Sequence, residues 1–409
     1  MIEFATGELH IGGMSARDLV ERWGSPLFVY DAAEVRASWR RIRDAFRYEP
    51  THLHFAAVCN PNLHLLALLH QLGANLHANT PGDVYCGLRA GYRPEEIVFS
   101  GSNLGEDDLA YLLGAGVHVN VDSLDDLGRA LRFAPRHDFG VRVHLDEVLP
   151  ESRIGLREDD LDAALSMARE GGARITAVHV YCGTHGQSLD RYRAALERLV
   201  ALALRAPDVD CINLGGGFGY DYRDPEEGTF PFEALARAAD AALRDVSRRK
   251  GRTVSLRVEP GRALVAGTAV LLTRVRSVKR TPTKRYVGVD TTTANFTSPV
   301  VHGARRRVTT VDERPSGDAL ADVCGCTTYS RDFITRDAPL GEVRPGDLLA
   351  VRDVGAYGYC MSSHFLNRPR AAEAFVDGGR ARLVTRRETF EDLVATQLAP
   401  GEALACAAE

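Results

Sequence analysis

Lysine is nearly missing from this chain. It occurs three times in 409 residues, as Lys250, Lys279 and Lys284, so arginine supplies almost all of the 50 basic side chains. Few amines are therefore on hand for chemistry that needs one. Long apolar runs are missing too: none approaches the roughly 18–20 residues of a membrane span, so no membrane partner is expected. A net charge of -5 and a pI near 6.2 lack the basic surplus of a polyanion binder, which argues against nucleic acid. The opening Met1-Ile2-Glu3-Phe4-Ala5-Thr6 has neither the basic nor the apolar region of a secretion signal. Eight cysteines are too few and too scattered for a disulfide scaffold. These absences together set the expectation of a cytoplasmic protein with free thiols.

What is present is a repeated alternation. Short apolar runs near 53–58, 74–80, 97–101, 117–123, 139–146, 175–183, 210–217 and 255–261 read as strands. Helix-length amphipathic stretches lie between them. In 62–72, Leu65, Leu66, Leu68, Leu69 and Leu72 form an apolar face; in 188–206, Leu189, Tyr192, Leu196, Leu199 and Ala203 do so. Strand–helix units of this number predict an α/β fold, a (β/α)8 barrel with its site at the carboxyl ends of the strands. After residue 262 the pattern changes to strands and turns, at 268–278, 284–290, 348–353 and 373–385, the last broken by Asp377-Gly378-Gly379. The predicted division is a barrel over 28–265 and a mainly β domain formed by 1–27 with 266–409.

Two motifs suggest a phosphate site at the barrel mouth. Gly215-Gly216-Gly217 follows the seventh strand, and glycines let backbone N–H groups approach an anion closely. Glu259-Pro260-Gly261-Arg262 ends the eighth strand. Loops after strands seven and eight are a frequent phosphate site in this barrel. A plain turn is the alternative for the glycines, and a salt bridge to Arg262 for Glu259.

Phe55-Ala56-Ala57-Val58-Cys59-Asn60-Pro61-Asn62 resembles the first barrel strand of the fold-type III pyridoxal-phosphate (PLP) decarboxylases, the diaminopimelate and ornithine decarboxylase group. The resemblance runs from about Gly24 to Leu393 and implies the alanine racemase/decarboxylase-like fold. It also implies a homodimer with shared active sites, in which the β domain contributes to interface and site. PLP, or another phosphorylated small molecule, would then sit on Gly215, Gly216, Gly217, Gly261, Arg262 and Tyr357. The last lies in Gly355-Ala356-Tyr357. Glu259 would face the pyridine nitrogen, and Thr184 stands where the family has a cofactor-binding serine.

Several positions depart from the family pattern. Val58 stands where the resemblance places the lysine that forms the Schiff base with PLP. Tyr181 replaces a histidine that stacks on the ring, and His77 stands where an aspartate is common. In Gly325-Cys326-Thr327-Thr328-Tyr329-Ser330-Arg331-Asp332, a catalytic cysteine becomes Thr328 and a substrate-binding acid becomes Tyr329, while Asp332 remains. Ser298 replaces an arginine that binds the substrate carboxylate. No remaining lysine is a plausible substitute: Lys279 and Lys284 flank a turn, and Lys250 ends a helix on its solvent face.

These departures lead to an expected enzyme of altered chemistry, set in specialised biosynthesis. It would bind PLP or a phosphorylated relative noncovalently, with His77, Tyr181, Thr328, Tyr329 and Asp332 as candidate catalytic residues. An inactive homologue acting as a binding or regulatory subunit is the alternative. A metal-dependent barrel enzyme is the second, since His179, Cys182 and His185 cluster after strand six. Their spacing matches no metal framework, so no metal is assigned. Cys59 as a nucleophile is equally weak, since strand alternation turns it away from Val58.

Overall fold

The computed structural model describes residues 1–184, 186, 188–225, 230–303, 305–314 and 320–398. They form two compact units. One comprises Asp31–Ala269 with Asp353–Cys360; the other comprises Met1–Tyr30, Val270–Arg352 and Met361–Glu409.

The first unit is the (β/α)8 barrel. Its strands are β1 (Thr51–Ala56), β2 (Asn75–Ala78), β3 (Ile97–Phe99), β4 (His118–Val121), β5 (Phe139–His144), β6 (Ile175–Val180), β7 (Cys211–Asn213) and β8 (Ser255–Val258). Each pairs in parallel with the next, and β8 pairs with β1 to close the ring. The alternating pattern of the sequence is thus realised in full.

The first two connecting helices start where polar side chains satisfy free backbone N–H groups. Helix α1 (Leu63–Gln71) is capped by Asn62, whose side chain accepts from the N–H groups of His64 and Leu65. Helix α2 (Pro81–Ala90) begins with a reciprocal Thr80–Asp83 capping box and ends at Gly91, whose φ of 102° closes the turn. Leu65, Leu66, Leu68 and Leu69 are the buried residues of α1.

Strand ends are where the observed fold departs from the expected ranges. Every strand stops short of its apolar run, because the chain leaves the ladder and folds over the barrel mouth. Val58, expected within β1, lies in a 3-10 turn over Ala57–Cys59. Strict alternation no longer holds there, so Val58 and Cys59 both line the same cavity. The expectation that Cys59 faces away is corrected accordingly.

The second unit is mainly β. Its main sheet runs Phe333–Ala338, Ala321–Cys324, Arg285–Val289, Ala269–Arg280, Leu27–Asp31, Ala372–Asp377 and Arg380–Thr385 in spatial order. Leu348–Val351 joins Ala269–Arg280 and pairs with Val308–Thr310. Leu9, Ile11, Val29, Val270, Leu272 and Val376 contribute to its apolar core. Asp332 is buried in this unit and fastens its own loop. One carboxylate oxygen accepts from Thr292 Oγ1 and Thr293 N (3.1 and 2.8 Å), the other from Thr327 N and Oγ1 (3.1 and 2.5 Å). Ser298 accepts from Arg306 Nη2 at 2.9 Å.

Candidate active site

A cavity of about 290 Å³ opens at the carboxyl ends of the barrel strands. Its wall holds Val58, Tyr181 and Phe218, with Arg142, Glu259 and Arg262 as the charged groups. Val58 is 42% exposed, high for a valine at the end of a barrel strand. No lysine occurs in the described lining. Lys250 Nζ donates to the carbonyls of Ala203 and Ala206 behind the barrel. In the β unit Lys284 binds Asp337 and Asp322, and Lys279 pairs across its hairpin with Tyr286.

The glycine run forms a cradle that no other residue could form. Gly215 and Gly217 have φ of +65° and +88°, where side chains are strained. A Cβ at Gly216 would lie 2.4 Å from the Glu259 carbonyl oxygen, and one at Gly217 would lie 1.9 Å from that of Gly183. The Glu259 N–H donates to the Gly215 carbonyl at 2.8 Å, which pins the eighth strand's end to the glycine loop. Among the described residues nothing accepts from the N–H groups of Gly216 and Gly217. Arg262 is 5% exposed; its Nη1 donates to Tyr222 at 2.8 Å, while its buried Nη2 has no hydrogen-bond partner among the described residues. Its guanidinium lies 4.4 Å from the Tyr357 ring centroid. The salt-bridge alternative for Glu259 and Arg262 is not what the described contacts show, because each has other partners.

Glu259 is buried at the floor. Asn213 Nδ2 donates to its Oε1 at 2.7 Å, and the Nε2 atoms of His77 and His179 stand 3.4 and 3.5 Å from its Oε2. Burial pushes this carboxyl up, but the two imidazoles and the Asn213 amide outweigh burial and hold it well below the usual carboxylate range. Burial takes His77 the other way, down to about 4, so it is neutral at pH 7. At the rim the hydroxyls of Tyr181 and Thr184 are 2.8 Å apart.

The structure therefore gathers Val58, His77, Tyr181, Thr184, Gly216, Gly217, Glu259, Gly261, Arg262 and Tyr357 around one cavity. Thr328, Tyr329 and Asp332 belong to the β unit. Arg142 was not singled out from the sequence. It is 5% exposed and donates to Asp122 Oδ1 at 2.7 Å and to the Gly101 carbonyl at 2.8 Å. A charged residue between Val141 and Val143 was the available signal, since a buried guanidinium must find partners. Cys59 makes a poor nucleophile, because burial pushes its thiol up to about 11. Among the described residues no group of three or more His, Cys, Asp or Glu converges as a metal site; His185 lies outside them. His179 turns to Glu259 while Cys182 turns to the Leu214 carbonyl.

Residues 32–266 match the pyridoxal binding domain of the pyridoxal-dependent decarboxylases. The chain belongs to that family. Across 97% of both chains it is 31% identical to a diaminopimelate decarboxylase of Methanothermobacter thermautotrophicus. It is 34% identical to that of Pseudomonas aeruginosa, over 96% of this chain and 97% of the other. Among solved structures, the diaminopimelate decarboxylase of M. jannaschii superposes with a TM-score of 0.92 at 25% identity, over 98% of each chain. The decarboxylase similarity thus covers the β unit as well as the barrel.

These comparisons overturn the expectation of an altered-chemistry enzyme of specialised metabolism, together with its inactive-subunit and metal-dependent alternatives. The near-full-length relatives are diaminopimelate decarboxylases. Substitutions at a handful of cavity positions are a weaker guide to chemistry than similarity spread over the whole fold. PLP is the family's cofactor, and the cavity fits it in one respect visible here: unpaired N–H groups and a buried, unpartnered guanidinium nitrogen suit a phosphate.

The buried histidines make the barrel acid-sensitive. His54, His77 and His118 all have lowered pKa values, burial being the largest cause in each. The unfolded chain then takes up protons first as pH falls, so their stabilisation is complete above about 6.5 and lost below it. For His77, whose pKa falls from 6.5 to about 4, the loss is spread between those values. From His77 alone it amounts to about 2 kcal/mol at pH 5. Urea midpoints at pH 7.5 and pH 5 measure this, and His77→Asn is expected to remove that share of the slope.

Proposed function

We propose that this chain is a PLP-dependent amino-acid decarboxylase whose substrate is diaminopimelate or a close analogue. The observation that carries this reading is the pairing of the Gly216–Gly217 cradle with the unpartnered Nη2 of buried Arg262. The full-length similarity to diaminopimelate decarboxylases supplies the substrate class.

In this reading the N–H groups of Gly216 and Gly217, with Arg262 and Tyr357, hold the phosphate. Glu259, kept ionised by its neighbours, holds the ring nitrogen in its protonated form. Tyr181 covers the ring face, and Thr184 orients the Tyr181 hydroxyl. Bound PLP supplies an electron sink for the carbon that loses carbon dioxide. By the resemblance of the Phe55–Asn62 segment, we infer that Val58 takes the place of the family's lysine and that noncovalent contacts hold the cofactor. His77 borders the reacting end. Thr328 and Tyr329 would reach it from a second copy in a cytoplasmic homodimer. To Asp332, whose two oxygens are engaged within its own unit, we assign the shape of that loop.

The test is carbon dioxide release from diaminopimelate with and without added PLP, read beside the absorbance of the desalted protein. Release that depends on PLP supports the proposal. PLP retention without release overturns the reaction, and failure to take up PLP overturns the cofactor.

A further inference from the structure

A line of buried polar groups crosses the barrel beneath the cavity and ends on Glu259. Asn120 on β4 donates from Nδ2 to Ser100 Oγ at 2.9 Å. Ser100 Oγ lies 3.4 Å from His179 Nδ1 on β6, and His179 Nε2 lies 3.5 Å from Glu259 Oε2. Asn120 and Ser100 are fully buried and His179 is 2% exposed, so bulk solvent does not compete for these links.

One assignment satisfies every link in this line. With Asn120 Nδ2 donating, Ser100 Oγ accepts from it and gives its own hydroxyl hydrogen to His179 Nδ1. With Nδ1 accepting, the neutral ring carries its hydrogen on Nε2 and turns it toward a carboxylate that only accepts.

We propose that Asn120, which does not line the cavity, is a positioning residue. It fixes the His179 tautomer through Ser100, and that tautomer holds the Glu259 carboxylate in place for the ligand's ring nitrogen. The ligand half of this inference rests on the function proposed above.

Asn120→Asp tests it, because the change is nearly isosteric yet reverses the line. A carboxylate at 120 accepts from the Ser100 hydroxyl. Ser100 Oγ must then accept from His179 Nδ1–H, and a bare Nε2 is left against Glu259. The readout is side-chain ¹⁵N NMR of the histidines in the ligand-free full chain at pH 8, with His179→Gln to assign the signal. Wild type is expected to carry the hydrogen on Nε2 and Asn120→Asp on Nδ1. PLP affinity should fall at least tenfold in Asn120→Asp, with a shift in the pH at which the bound PLP spectrum changes. Ser100→Ala breaks the line without reversing it; it should move the His179 Nδ1 resonance and lower affinity about threefold.

An unchanged tautomer in Asn120→Asp overturns the proposal, as does an equal affinity loss in both variants. Should Asn120→Asp fail to fold, an unmoved Nδ1 resonance in Ser100→Ala overturns it instead. If the wild type takes up no PLP, the proposed function falls, while the tautomer measurement still judges Asn120.

Discussion

Val58→Lys is expected to change PLP from a ligand that washes out to one that stays. Val58 sits in the turn just after β1, 42% exposed and part of the cavity wall. A lysine there would place an amine in a cavity whose described lining has none. The variant should keep its colour through desalting, and borohydride should fix one phosphopyridoxyl group on the denatured chain, a gain of PLP less one water plus two hydrogens. Wild-type protein treated alike should show no adduct. An adduct in the wild type would mean that Lys250, Lys279 or Lys284 reaches the cofactor, and the noncovalent reading would fall. Absence of an adduct in Val58→Lys would show that this wall does not face the carbonyl carbon of PLP.

Gly217→Ala should nearly abolish PLP uptake. Its φ of +88° costs an alanine on the order of 1–3 kcal/mol of strain. The new Cβ would also lie 1.9 Å from the Gly183 carbonyl oxygen, a backbone atom that cannot swing aside. Relief of that clash must displace the loop, including the 2.9 Å hydrogen bond from Gly186 N to the Gly217 carbonyl. We expect at least a hundredfold loss of PLP affinity, about 2.7 kcal/mol, read by equilibrium titration. Gly378→Ala separates strain from cradle geometry. Gly378 also has positive φ, at +57°, but nothing lies within 4 Å of its would-be Cβ in a surface hairpin. That variant should lose some stability and bind PLP like wild type; equal PLP binding by both variants would remove the cradle from the argument.

The order of the barrel strands could be read from the chain because parallel strands buried on both faces leave continuous apolar runs, and the helices between them leave a different period. The glycine triplet was legible for a local reason too: the positive φ of Gly215 and Gly217 favours glycine over any residue with a side chain. Lysine scarcity is a property of composition and needs no structure at all. Strand ends were less legible. Apolar residues continue past the last ladder pair over the barrel mouth, so Val58 and Cys59 read as alternating faces of one strand and instead share a cavity wall.

What only the tertiary structure decided is how groups far apart in sequence meet. His77, His179 and Asn213 come from three strands and converge on Glu259, and Asn120 and Ser100 reach it through His179. No spacing in the chain encodes that convergence, because it depends on the closure of the ring, which brings the ends of β2, β6, β7 and β8 around one axis. Asp332 is the converse case. Its place in a family-like motif suggested a catalytic carboxylate, and the folded loop shows both oxygens occupied by Thr292, Thr293 and Thr327. The sequence by itself thus determined the barrel, the glycine loop after its seventh strand and the shortage of amines, since local conformation and composition carry those. The protonation and orientation of the site were decided by the fold, because burial and hydrogen-bond partners exist only once the chain has closed.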